Sequence, residues 1–504
     1  MSTLRPYQIE GINKIFRSWR AGKRSVLFQM PTGTGKTVLF SEIVKMGFEK
    51  QRKILIAVHR IELIDQITKK LNEKGINVGH IVAGKNTDYS KIIQVASIQT
   101  LSRRERPDAN LIIIDECHHA KAASYKKLWA LYPHAKFLGV TATPIRLSGE
   151  GFDDIFDELI LSMSTSRFIE EGYLVPISHY VQANPDLSNV KTSKGDYVTK
   201  MLSNVMMDNR LMMNLVDSYK EKCNGKTAIV FAVDVEHSKD IAYRFNSAGI
   251  IARHVDAKTP ANEREQILKD FKSGRVKVIS NVEIITEGFD FPECQVVQLA
   301  RPTKSLALYL QMIGRVMRPA QGKNEGVVLD NAGLWLEHGL SDADRIWSLK
   351  GKKKRRNIPR EFNELAIDDE GVIREVSRFR PEEVNGLKLI PMTEEFRRLI
   401  IFEDILKIAI QTERKLLYPY FQYIKYLIKI GQQKLTKIEL EYIKKRLNYY
   451  NQEGRSLPEK RFKPGFWMVQ QKYLTALPTL ESLDGTYVSE RDKTLDYNDF
   501  GDSL

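Results

Sequence analysis

Between an apolar run, Ser25 to Phe28, and an apolar-periodic run, Val38 to Met46, stands the octapeptide Met30-Pro31-Thr32-Gly33-Thr34-Gly35-Lys36-Thr37. The order is strand, glycine turn, helix, and it constrains the fold more than any other feature of the chain. A strand that feeds a helix through a tight turn belongs to a βαβ unit, and such units build parallel sheets with crossover helices. The turn itself reads as a phosphate cradle. Gly33 and Gly35 let backbone N–H groups face inward around phosphates, Thr32 and Thr34 complete the loop, and Lys36 brings a point charge to the β- and γ-phosphates. Thr37 offers a hydroxyl to Mg²⁺. The strict P-loop pattern has glycine where this chain has Met30, so only the second half of the motif is intact.

A second segment answers the first. Leu111-Ile112-Ile113-Ile114 is short, apolar and mostly β-branched, as suits a strand buried on both faces of a parallel sheet, and it runs straight into Asp115-Glu116-Cys117-His118. The two carboxylates therefore fall at the carboxyl end of a strand, where open α/β sheets bind ligands. Asp115 is placed to hold Mg²⁺ together with Thr37, and Glu116 to orient and deprotonate a water that attacks the γ-phosphate of ATP. His118 and His119 lack a second ligand cluster at zinc spacing and read as structural.

Composition sets the class of partner. The 504 residues are 42% hydrophobic, enough for several buried cores and about three domains of ordinary size. The net charge of +15 calls for a polyanion. Nucleic acid is favoured over a membrane surface, because neither terminus carries a long basic amphipathic helix. The three cysteines, Cys117, Cys223 and Cys294, are too few and too scattered for a disulfide framework or a four-cysteine zinc module, and fit a reducing compartment. Met1 to Glu10 has no apolar signal core, and no run approaches the roughly 20 apolar residues of a membrane span. These readings lead to the expectation of a soluble cytoplasmic protein.

The alternation of apolar strands and helical patterns divides the chain. Runs at Ser25–Phe28, Ile54–Val58, Ile92–Ala96, Leu111–Ile114 and Phe137–Val140 place a first α/β domain at residues 1–165. Runs at Ala228–Phe231, Ile251–Val255, Val276–Ser280 and Val296–Leu299 place a second at 205–340. Residues 166–204 read as a linker, 341–390 as a charged connector opened by Lys352 to Arg356, and 391–504 as a helical accessory domain with an acidic tail. In that last region aromatics interleave with lysines from Tyr418 to Tyr450, a pattern open both to base stacking and to core packing.

Gln311-Met312-Ile313-Gly314-Arg315-Val316-Met317-Arg318 supplies two arginines three apart, on one helix face if the segment is helical. An arginine reaching across a cleft stabilises the charge that develops on a transferred γ-phosphoryl group. Motif for motif, residues 4 to 340 resemble a superfamily 2 helicase of the DEAD/DEAH type, with Asp115-Glu116-Cys117-His118 as its acidic box. The second domain is most similar to the RadD-like DNA helicases of bacteria and phages. The resemblance implies two tandem RecA-like domains and an ATP- and Mg²⁺-dependent DNA helicase or translocase that unwinds or remodels duplex or branched DNA in replication, recombination or repair.

The resemblance also assigns residues. Arg5-Pro6-Tyr7-Gln8 matches the segment that reads adenine, so Arg5 and Gln8 are expected at the base. Arg60, Gln99 and Thr100 match first-domain contacts to the nucleic-acid backbone. Thr141-Ala142-Thr143-Pro144 matches the motif that couples hydrolysis to domain movement, with His118 as partner of Thr141 and Thr143. Thr286-Glu287-Gly288-Phe289-Asp290 matches the segment touching strand and nucleotide, with Thr286 on the strand, Gly288 at the nucleotide and Asp290 at the ribose. Arg315 and Arg318 match the arginine fingers, with Gln311 beside them. RadD-like proteins often carry zinc-binding cysteines near the C-terminus; this chain has none after Cys294, so no zinc is expected. Single-stranded or branched DNA, a replication or repair protein, and a bacterial or phage-infected cytoplasm are the implied surroundings. An ATP-gated clamp that does not unwind, and an RNA helicase, are the alternatives.

Overall fold

The computed structural model describes residues 4–59, 61–84, 86–101, 103–117, 122–146, 150–182, 185–193, 195–282, 291–345 and 347–350, with shorter stretches between 364 and 447. Residues 1–391 make one compact unit and 392–504 another. Both large sheets belong to the first unit.

The first sheet takes seven parallel strands: β1 (Ser25–Gln29), β2 (Ile54–Val58), β3 (Gly79–Ile81), β4 (Ile93–Ser97), β5 (Leu111–Asp115), β6 (Lys136–Thr141) and β7 (Glu158–Leu161), in the order β3-β4-β2-β5-β6-β1-β7. Every residue of β1, β2, β4 and β5 is buried. Helices cover both faces of such a sheet, which is why these strands appear in the sequence as unbroken apolar runs. The helices are α1 (Pro6–Arg20), α2 (Lys36–Glu49), α3 (Ile61–Asn72), the single turn α4 (Ile98–Leu101) and α5 (Ala122–Leu131). Since the strands are parallel, the segments leaving β1, β2, β4, β5 and β6 all emerge at one edge.

Beyond β7 the chain does not form a bare linker. After α6 (Thr165–Glu170), strand β8 (Ile177–Val181) joins the second sheet, parallel to a strand near its end. Only Ile177, His179 and Val181 of β8 are buried. With a histidine in the apolar phase of the alternation, the strand is inconspicuous in the sequence. A short hairpin, β9 (Thr192–Ser193) and β10 (Asp196–Tyr197), follows, then α7 (Thr199–Met206) and α8 (Asn209–Cys223). Residues 187–206 have a small apolar core of their own, in which Val190, Leu202 and Met206 close on Val233.

The second sheet adds β11 (Ala228–Phe231), β12 (Ala252–Val255), β13 (Val278–Asn281), β14 (Val296–Leu299) and β15 (Gly326–Asp330), with α9 (Val235–Ser247), α10 (Ala261–Lys272), α11 (Leu306–Ile313) and α12 (Leu334–His338). Within the stretch expected to be a connector lie the hairpin β16 (Glu364–Ile367) and β17 (Ile373–Val376), and β18 (Ile390–Pro391). The order is β12-β13-β11-β14-β15-β8-β18, parallel except for β18, which pairs antiparallel with β8.

Among the described residues the chain passes between the domains after β7 and again after α12, where residues 341–350 return to the first domain, and at β18 it stands once more in the second sheet. Asp344 accepts hydrogen bonds from the backbone N–H and the hydroxyl of Ser166 at 3.1 and 2.7 Å. The carbonyl of Leu349 accepts from the N–H groups of Phe152 and Asp153, and its side chain packs on the first-domain cluster around Phe152 and Trp129. A single apolar cluster also links the domains, from Phe28 and Leu39 through Phe168, Leu174 and Ile177 to Val316 and Met317.

In the second unit, α13 (Tyr418–Lys429) buries Tyr420 and Tyr423 completely. The Tyr423 hydroxyl donates to Glu439 at 3.0 Å, and Arg398 pairs with the same carboxylate at 2.6 Å. For these two tyrosines packing accounts for the aromatic pattern. Lys352 to Arg356, Tyr449, Tyr450 and the acidic tail lie outside the described residues.

Candidate nucleotide site and interdomain cleft

The loop from Met30 to Gly35 turns on two glycines. Gly33 has φ 86° and Gly35, the N-cap of α2, φ 93°, a conformation that side chains with a Cβ adopt only under strain. The loop is braced from within and from α1. The Thr34 hydroxyl donates to the Pro31 carbonyl at 2.7 Å, and the Tyr7 hydroxyl donates to the Thr34 carbonyl at 2.6 Å. Gln8 accepts from the Arg5 N–H at 3.0 Å and donates to the Gly35 carbonyl at 3.3 Å. Gln8, expected at a base edge, thus has both ends of its amide on protein backbone and is buried. The Gly35 site needs this closeness: a Cβ there would meet the Gln8 amide nitrogen at 2.7 Å.

Tyr7 and Tyr173, in the stretch read as linker, were missed by the sequence. Their rings meet edge to face at 4.7 Å, Phe168 adds a second edge contact to Tyr7 at 4.9 Å, and the Arg5 guanidinium lies 5.2 Å from the Tyr173 ring centre. Burial raises the Tyr7 pKa, with Arg5 opposing it. The turn residues Gly172-Tyr173 after α6 were the available signal.

Lys36 begins α2 and is almost wholly buried; its ammonium lies 3.4 Å from the Met30 carbonyl and 3.6 Å from a Glu116 carboxylate oxygen. Asp115 ends β5 at 4% exposure and accepts from the Glu116 N–H at 3.0 Å. Glu116 itself has φ 46°. That left-handed turn breaks the strand direction immediately after Asp115, and Glu116 pairs across the loop with Lys36. Cys117 behind them is buried, and burial first, then the two carboxylates, hold its thiol far above the ordinary range. Thr37 is the second residue of α2 and half-buried. Among the described residues no group of three or more His, Cys, Asp or Glu is arranged to hold a metal.

The next strand end is locked to the loop. Met30 N–H donates to the Thr141 carbonyl at 3.0 Å, and Gln29 donates to the Ala142 carbonyl at 3.0 Å. Thr141 and Thr143 bond each other, the Thr143 N–H donating to the Thr141 hydroxyl at 3.1 Å and that hydroxyl to the Thr143 carbonyl at 3.1 Å. Movement at Thr141-Ala142-Thr143 is therefore movement at the base of the phosphate loop.

From the second domain, α11 ends at Ile313 with Gly314 as its cap. Arg315 and Arg318 are consequently not on a helix face; they lie in the turn beyond it, because Gly314 ends the helix and Pro319 bars its continuation. The turn rests on the phosphate loop. A Cβ on Gly33 would lie 3.2 Å from Cγ of Arg318, and a Cβ on Gly314 would lie 2.5 and 2.6 Å from Cγ2 and Cβ of Thr32. The Met317 carbonyl also accepts from Val175 N–H at 2.8 Å. Gln311 and Arg315 are buried. Beside them, burial pushes the Lys323 ammonium down to about 8, with the Arg318 charge adding to the fall. A cleft runs along this contact, lined by Pro31, Thr32 and Ser162 of the first domain and by Gly314, Met317 and Trp347 beyond it.

Of the expected strand contacts, Gln99 is exposed and Thr100 half-exposed on α4, at the same edge as the phosphate loop. Arg60, His118, Thr286, Gly288 and Asp290 lie outside the described residues.

Residues 1–146 match the family model described as type III restriction enzyme, res subunit, and residues 209–320 match the helicase conserved C-terminal domain. A 51.5 kDa protein of a Lactococcus phage (isolate 7-9) is 39% identical over 66% of this chain and 72% of its own length. The DNA 3'-5' translocase XPB2 of Sulfurisphaera tokodaii is 24% identical over 62% of this chain and 78% of its own length. Among solved structures, the ATP-dependent type ISP restriction-modification enzyme LlaBIII bound to DNA shares the fold, with a TM-score of 0.52 and 19% identity over 65% of this chain and 27% of that one.

Proposed function

The chain belongs to superfamily 2 of the ATP-dependent helicases, and from that premise we propose that it is a motor that converts ATP hydrolysis into movement along a DNA strand, separating or remodelling duplex or branched DNA in replication, recombination or repair. One observation carries the reading. The backbone of Gly314 lies against Thr32 and the Arg318 side chain against Gly33, so the phosphate loop of one domain and the arginine turn of the other are faces of one site. A site divided between two domains changes when the domains part, and that is how hydrolysis can drive displacement.

In this reading Lys36 and the loop N–H groups from Thr32 to Thr37 hold the β- and γ-phosphates, Arg5 at the N-cap of α1 flanks the nucleotide while Gln8 braces the loop behind it, and Gly288 lies at the nucleotide with Asp290 at the ribose. Glu116 takes a proton from water as the water oxygen bonds to the γ-phosphorus, and the bond to the β-phosphate oxygen of ADP breaks. Arg315 and Arg318, with Gln311 beside them, stabilise the charge that builds on the equatorial oxygens. Thr37 and Asp115 supply hard oxygen donors of the kind Mg²⁺ takes beside nucleotide phosphates, and the ion would neutralise phosphate charge there. Thr141 and Thr143, with His118, pass the change in the loop to the domain interface. Arg60, Gln99, Thr100 and Thr286 hold the strand backbone without reading its sequence.

The net charge of +15 and the likeness to a DNA translocase support DNA as the track. The likeness to a Lactococcus phage protein supports a bacterial or phage-infected cytoplasm as the setting. The deciding experiment is single-turnover strand displacement on forked DNA, with the matching RNA fork in parallel at one salt concentration. Displacement of the DNA strand that consumes several ATP per event is the expected result. ATP-dependent retention on DNA with no displacement would make the protein a clamp, and preference for the RNA fork would make it an RNA helicase.

A further inference from the structure

The hairpin β9–β10 and α7 stand at the edge of the second sheet where parallel strands present their ligands. Two strand ends hold them there. Val233, just past β11, closes their apolar core. Asp196 of β10 accepts from the Thr303 hydroxyl at 2.6 Å and from the Lys304 N–H at 2.8 Å, in the segment that leaves β14. The Lys304 ammonium lies 5.1 Å from the ring centre of Tyr197. Around this tie Lys191, Lys200 and Lys304 are exposed, while the carboxylate among them, Asp196, is occupied by Thr303, Lys304 and the N–H of Tyr197. The surface left to a ligand is cationic.

The segment that Asp196 grips also begins a helix. Ser305 caps α11, its hydroxyl accepting from the Leu308 N–H at 3.2 Å. Eight residues later, about 12 Å along the axis, α11 gives way to Gly314 and the arginines. The hairpin and the arginine turn are thus fixed to opposite ends of one short rigid rod.

We propose that residues 187–206 together with Lys304 form a contact for the phosphodiester backbone of DNA, through Lys191, Lys200 and Lys304, and that Asp196 is a positioning residue that transmits this contact along α11 to Arg315 and Arg318. The inference rests on the DNA-motor reading above and adds to it a track contact and a route from track to ATP site.

The test uses the full chain and fluorescein-labelled single-stranded DNA. In Lys191→Ala/Lys200→Ala, loss of two phosphate contacts raises Kd roughly tenfold at 0.1 M salt and flattens the slope of log K against log salt by about 1.5. The matching control is Lys220→Ala/Lys272→Ala, two exposed lysines where α8 and α10 lead into the opposite edge of the sheet; it binds as wild type. Asp196→Ala keeps Kd within about threefold but loses most of the DNA-stimulated increase in ATP turnover, and Asp196→Asn, which keeps an oxygen for the Lys304 N–H, recovers part of it. Wild-type affinity and salt slope in the lysine pair would overturn the contact, whether or not Asp196→Ala folds. Full stimulation in a folded Asp196→Ala would overturn the route. If the wild-type protein bound no DNA, the motor reading itself would fall, a result distinct from either.

Discussion

Glu116 and Gln51 are the residues other than glycine that hold a positive φ among those described. For a glutamate the left-handed region costs on the order of 1 kcal/mol, and such outliers gather at functional sites. Here the turn sets the carboxylate 3.6 Å from Lys36, so the group proposed to activate water is held by the group proposed to bind phosphate. Glu116→Gln keeps the shape and removes the base: ATP and DNA binding should persist while steady-state turnover falls by about 10² to 10⁴. Near-normal turnover would remove Glu116 from the chemistry. The acidic pair and the phosphate loop were legible in the sequence because both follow buried apolar strands; the strained turn was not, since nothing in a one-dimensional order marks the sign of φ. A second residue makes a statement about pH. His237 is fully buried, its Nδ1 accepting from the Val233 N–H at 3.2 Å, and burial lowers its pKa to about 4, with Asp234 and Asp240 opposing. The unfolded chain, with an ordinary value near 6.5, binds the proton first as pH falls, so the stability associated with a neutral His237 is present above about 6.5 and is lost progressively toward 4. At pH 5 that loss is about 2 kcal/mol. His237→Asn, which keeps an acceptor for Val233 and cannot titrate, should lose less melting temperature between pH 7 and 5 than wild type in calorimetry. Equal losses would mean that other groups set the acid sensitivity.

At the scale of elements, the short helix α11 shows how sequence spacing can mislead about geometry. Two arginines three apart fit one helix face, yet Gly314 stops the helix before either is reached, and the turn that results is what lets Arg318 lie along Gly33. Glycine stands at both positions for different reasons: Gly314 has no room for a Cβ, and Gly33 holds φ 86°. Gly314→Ala would drive a Cβ to 2.5 Å from Thr32, and a displacement of about 1 Å at a catalytic group, the role proposed for the arginines, can cost on the order of 10²-fold in rate. We therefore expect at least a tenfold drop in ATP turnover with an unchanged circular dichroism spectrum; a rate within twofold of wild type would show that the turn gives way harmlessly. Strands followed the same logic of context. β1, β2, β4 and β5 were legible because burial on both faces leaves unbroken apolar runs, whereas β8 alternates and places His179 on its buried side, so its pairing with β15 shows only once the sheet is assembled. The residues of α13 posed the opposite problem: Tyr420 and Tyr423 sit beside lysines in sequence but inside the fold in space.

For the whole molecule, the return of residues 341–350 to the first domain matters more than its few bonds imply. Asp344 and Ser166 form an exposed pair, yet they tie the two sheets together. Removing the carboxylate in Asp344→Ala should loosen the tie by about 1 kcal/mol, which lowers the fraction of molecules with both faces of the ATP site together and raises the apparent KM for ATP about fivefold. The rate at saturating ATP and DNA should change less than twofold, and an unchanged KM in steady-state assays would show that the tie bears no load. None of this was legible beforehand, because the segment has neither a motif nor a strong period and acquires meaning only from what it touches. Two bodies joined at one place can swivel about any axis through it; joined at two, they keep a single axis, the line through both joints. The domains here are joined after β7, after α12 and again where β18 returns to the second sheet, with an apolar cluster between them, so the axes left to them are few. For the motor proposed above, the motion such joints permit is narrow and keeps its direction from one cycle to the next, and the surfaces farthest from the joints travel farthest.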